Sequence, residues 1–79
     1  MIIKRRINNK QKQYIKNDIL SCNRIIETFE KDKRKVQAAR KKYISEDNYK
    51  ADIAYLDKEI QRYRKKRANL ELKLKKYDN

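Results

Sequence analysis

In the second half of the chain, Tyr49, Ile53, Leu56, Ile60, Tyr63, Arg67, Leu70, Leu74 and Tyr77 follow one another in alternating steps of four and three. Only Arg67 is polar. This is the a/d heptad of a helix whose narrow apolar seam packs on a neighbour. In the first half, Ile15, Cys22, Phe29, Val36 and Tyr43 recur every seven residues. Ile19 and Ile26 widen that line on one side, Ile25 and Ala39 on the other, and Lys33 and Arg40 interrupt it. A wider stripe suits a helix that touches more than one neighbour.

The two patterns do not join in phase. The six-residue step from Tyr43 to Tyr49 turns the apolar face by about 120° on a straight helix. The interval Ile44-Ser45-Glu46-Asp47-Asn48 carries side chains that bond the free N–H groups of a helix start, and acids that suit its dipole. Asn8 with Gln11 resembles a capping box. The expectation is one all-α domain over 1–79. Residues 1–8 form a basic arm or helix start, 9–44 a first helix, 45–48 a turn and 49–77 a second helix. Together they fold as an antiparallel, coiled-coil-like helical hairpin. The competing arrangement is a single unbroken helix with a stammer, since no glycine forces a break.

The hairpin has a predicted register. Phe29 faces Tyr63, Cys22 faces Leu70, Ile19 faces Leu74 and Val36 faces Leu56. Glu30 falls near Arg64 and Asp18 near Lys73, while Asp32 near Glu59 is a like-charge conflict. Arg67 sits at an a position, where a polar residue costs stability and can fix register or oligomeric state. A two-helix hairpin has one seam and no second layer, and dimerisation into a four-helix bundle is the usual remedy. Ile25, Ala39, Tyr55 and Leu72 lie off the seam and are candidates for a second interface, although scattered apolar surface residues are also normal.

Composition narrows the alternatives. Gly and Pro are absent, which removes the residues that dominate tight turns and bulges and leaves all-β and α/β folds with little support. With 44% of residues charged and 38% hydrophobic, full disorder is the rival reading. The heptads speak against it. Cys22 is the one cysteine and there is no histidine, so neither an intrachain disulfide nor a usual zinc site is expected. No run approaches the ~20 apolar residues of a membrane span, and Met1–Ile7 is too charged for a signal peptide. A cytoplasmic protein without cofactors is expected. Asp52, Asp57 and Glu59 are spread over helix faces, and no phosphate-binding glycine loop or nucleophile–base pair is present. No enzymatic activity is expected.

The net charge of +13 points to an acidic partner. Residues 1–16 hold Lys4, Arg5, Arg6, Lys10, Lys12 and Lys16 and no acid. Residues 60–79 hold Arg62, Arg64, Lys65, Lys66, Arg67, Lys73, Lys75 and Lys76 against Glu71 and Asp78. Residues 40–59 hold five cations and five acids. A hairpin is expected to set the two basic segments side by side, away from a neutral tip. Such clustering is the electrostatic footprint of a phosphate binder. The plainer account is that long cations off the seam keep a helix soluble and shield its apolar stripe with their stems. Tyr14, inside the first basic segment, either stacks on a base or packs near Tyr77.

Two functions follow. One is a small nucleic-acid-binding regulator, working as a homodimer through these fourteen cations. The other is a viral or mobile-element adaptor or inhibitor, lying on an acidic protein surface or in a host enzyme's nucleic-acid channel. A basic leucine zipper fits poorly, because that motif needs one continuous helix forking into the major groove. Binding to an anionic membrane surface lacks the broad apolar face it requires.

Overall fold

The computed structural model describes residues 9–77. Helix α1 runs Asn9–Ala38, a single 3-10 turn follows at Arg40–Lys42, and helix α2 runs Glu46–Tyr77. The two helices pack along their length as an antiparallel hairpin, and no strand occurs among the described residues. The arm expected over 1–8 lies outside the described residues, and with it Lys4, Arg5 and Arg6.

The seam is the one the heptads predict. Ile15, Cys22 and Ile26 of α1 and Leu56 and Ile60 of α2 are its buried residues. Ile53, Tyr63, Arg67, Leu70 and Leu74 continue the line half-buried, opposite Ile19, Phe29 and Val36. The rings of Phe29 and Tyr63 stack with centroids 6.0 Å apart, which fixes the register. Arg64 Nη2 donates to Glu30 Oε1 at 2.9 Å. Asp18 and Lys73, expected to be neighbours, make no ion pair among the described residues. The like-charge conflict is eased on one side, where Glu59 accepts from Arg62 one turn away at 3.5 Å.

The connection differs from the expected helix to residue 44 and turn over 45–48. Helix α1 ends at Ala38, and α2 already begins at Glu46. The Ala39 N–H is shared between the carbonyls of Lys35 and Val36, and the Lys42 N–H bonds the Ala39 carbonyl at 2.9 Å. This tightening from α to 3-10 bonding is how helix ends satisfy their last carbonyls. Ser45 then caps α2, its Oγ accepting from the Asn48 N–H at 3.1 Å. The chain reverses without any residue at positive φ, so the turn needs no glycine.

Side chains hold the tip closed. Arg40 Nη2 donates to Glu46 Oε1 at 2.6 Å and its guanidinium lies 5.1 Å from the centre of the Tyr49 ring. Tyr43 meets that ring edge-on at 5.6 Å and donates its hydroxyl to Asp52 Oδ2 at 2.6 Å. Arg40 and Tyr43, read from sequence as an interruption and a seam position, serve the turn instead.

The molecule is a rod of 65 × 19 × 12 Å with a radius of gyration of 18.2 Å. A compact chain of this length has a radius near 12 Å. One layer of two helices explains the difference, and among the described residues nothing covers either broad face of the hairpin.

Candidate nucleic-acid interface

The register decides which cations come together. Equal steps from the Phe29–Tyr63 pair bring Lys16 level with Lys76, while Lys10 and Lys12 project past the end of α2. Arg62, Arg64 and Arg67 stand level with the stretch from Ile25 to Glu30, in the middle of the rod. Among the described residues, Lys16 and Lys76 therefore stand side by side, and Lys10 and Lys12 follow beyond them. The rest of the first basic segment, with Lys4, Arg5 and Arg6, lies outside the described residues. The stretch from Arg62 to Lys76 covers about 21 Å of helix at 1.5 Å per residue.

The three arginines are engaged. Arg64 holds Glu30, and Arg62 holds Glu59 and lies 5.5 Å from the Tyr63 ring centre. Arg67 reaches out of the seam and donates to Asn23 Oδ1 at 2.7 Å, with Glu71 a looser neighbour at 3.9 Å. The polar misfit of the heptad thus has a fitted partner on the facing helix. Lys65, Lys66, Lys73, Lys75 and Lys76 are exposed and make no ion pair among the described residues; Lys10 and Lys16 are alike. Lys12 is half-buried.

The hairpin has two unlike faces. Lys33–Asp57 at 2.6 Å, Glu30–Arg64 and Asn23–Arg67 bridge the helices along one of them. A residue two places from a bridging residue is rotated about 200° round its helix and emerges on the other side of the seam. Ile25, Asp32, Tyr55 and Arg62 all satisfy this, and no polar bridge spans that second face among the described residues. Sequence reading placed Ile25, Ala39, Tyr55 and Leu72 together as off-seam residues. Leu72 instead points away from the seam on the outer edge of α2, 65% exposed.

The acidity of Tyr43 is lowered by its surroundings. Its hydrogen bond to Asp52, with a smaller effect from that carboxylate's charge and from partial desolvation, raises the phenol above its ordinary value. Cys22 is a buried free thiol. No cluster of acids, cysteines or histidines able to hold a metal ion occurs among the described residues, and no helix there is long and apolar enough to cross a membrane. No family model matches this chain, and no curated protein or solved structure is significantly similar to it.

Proposed function

We propose that the protein is a small, non-enzymatic nucleic-acid-binding regulator that contacts phosphates through the basic half of a helical hairpin. The row of exposed lysines that make no ion pair among the described residues carries this reading: Lys65, Lys66, Lys73, Lys75 and Lys76, with Lys10 and Lys16. Residues 40–59 hold as many acids as cations, and acids there pair with Arg40 and Lys33, as Arg40–Glu46 and Lys33–Asp57. Lysine ammonium groups on a rigid rod suit phosphates at a regular spacing and carry no base readout. Fluorescence-anisotropy titrations at several salt concentrations test it. A steep fall of log K with log salt, about 0.9 for each phosphate contacted, is expected. Replacing Lys73, Lys75 and Lys76 together with Gln should lower that slope by roughly two to three. Affinity that is flat with salt removes the reading.

A second reading, an adaptor or inhibitor seated on an acidic protein surface, draws on Leu72, which stands exposed beside Lys73, Lys75 and Lys76. Nuclease treatment separates the two. Protein partners retained after digestion, and lost in Leu72→Asp, favour the adaptor.

A further inference from the structure

We infer that the outer edge of α2 is a recognition helix for the major groove of duplex DNA, with Asn69 and Leu72 reading adjacent base pairs between two rims of lysine. These base contacts add to the phosphate contacts proposed above and rest on them. The edge consists of Lys65, Asn69, Leu72 and Lys76, at steps of four, three and four, which keep them on one side of a helix. All four are exposed. At about 100° per residue, Lys66 and Lys73 lie roughly 40–60° round α2 to one side of Asn69, and Lys75 about 120° to the other. Cations border the edge, and the two side chains able to touch bases stand between them. The one acid between Lys65 and Lys76 is Glu71, which lies beside Arg67 toward the bridged face.

Three observations select duplex DNA. First, the Asn69 side chain makes no hydrogen bond among the described residues, whereas Asn17 accepts from Gln13 and Asn23 from Arg67. Asparagine is disfavoured within a helix, and no bond inside the hairpin offsets that at Asn69. Its amide matches the donor and acceptor that adenine presents at N6 and N7 in the major groove. Second, Leu72 is 65% exposed and follows Asn69 at about 4.5 Å along the axis. That is close to a base-pair step of about 3.4 Å, and an apolar side chain there suits a thymine methyl group. Third, the rod is 19 Å across the helix pair but 12 Å in its narrow direction. Entering by the α2 edge, it fits a major groove about 12 Å wide and 8.5 Å deep, with α1 left outside. The deep groove of duplex RNA is closed to side chains, and a single strand is held by stacking on aromatic rings, of which Lys65 to Lys76 has none.

The test presents the nuclease-treated full chain with a pool of short random-sequence DNA duplexes. Rounds of capture should enrich a shared step of adjacent A·T pairs. Anisotropy titrations then give the ratio of affinities for the selected duplex and a shuffled one. Asn69→Ala should reduce that ratio about ten-fold, and Leu72→Ala by a smaller factor. Lys66→Gln with Lys73→Gln should weaken both duplexes alike and keep the ratio. Circular dichroism checks that each variant keeps its helices. A pool that emerges unenriched but binds with a steep salt dependence overturns the recognition helix and leaves the phosphate reading standing. Binding that is flat with salt overturns both. A ratio that survives Asn69→Ala, or tighter binding to the single strand or to duplex RNA of the same sequence, overturns the groove assignment.

Discussion

Arg67 shows how one side chain can break a pattern and still serve it. At an a position between Tyr63 and Leu70 it removes apolar area from the seam, yet its bond to Asn23 has one partner in one register. Arg67→Leu should raise the melting temperature, since a buried leucine contributes roughly 1.5–3 kcal/mol against about 1 kcal/mol for the lost bond. Asn23→Ala should lower it by the equivalent of about 1 kcal/mol. A lower melting point for Arg67→Leu would mean that the residue is not a seam position. Tyr43 gives a pH signature. Its phenol is raised, so the folded state favours the protonated form. The stability from its bond to Asp52 is complete below the ordinary phenol range and fades as pH rises through the raised value. The melting points of wild type and Tyr43→Phe should differ near neutrality and converge at strongly alkaline pH. A gap unchanged by pH would count against the bond.

At the scale of the elements, the α2 heptad was legible almost residue by residue, because each half-buried or buried seam position falls on it. The Phe29–Tyr63 and Glu30–Arg64 pairs were legible too, since a single turn position fixes the register of a whole hairpin. The end of α1 was not. It depends on Arg40 reaching Glu46 and Tyr43 reaching Asp52, bonds that form only after the chain has turned and that no local residue preference announces. Ser45 was the visible half of that signal. Ser45→Ala should cost about 1 kcal/mol and speed hydrogen exchange at the Asn48 amide; unchanged exchange would show that the cap contributes nothing. The placement of the cations was implicit in the register. Because Tyr63 faces Phe29, its neighbours Arg62 and Arg64 sit in mid-rod, however basic the segment around them.

For the whole molecule, the five residues buried among those described must hold a rod 65 Å long. Ile26 and Ile60 are each 4% exposed, and truncating either to Ala should cost 2–5 kcal/mol. For a chain this small that is enough to unfold much of it at low concentration. A melting temperature that climbs with protein concentration would accompany self-association, because mass action adds its stability to the fold. The unlike faces could not be read from sequence. Heptads mark what points inward, whereas the bridging of one face by Lys33, Glu30 and Asn23 depends on side-chain reach across the seam.

The turn without positive φ has a practical corollary. No position in it is reserved for glycine by backbone geometry, and Ile44 is fully exposed. Its closure is shared among Arg40, Tyr43, Ser45 and Glu46. A short flexible insert after Ile44 should therefore leave the seam intact. That makes the tip the natural place to graft a reporter or an affinity tag onto the folded chain, at the far end of the rod from Lys75 and Lys76.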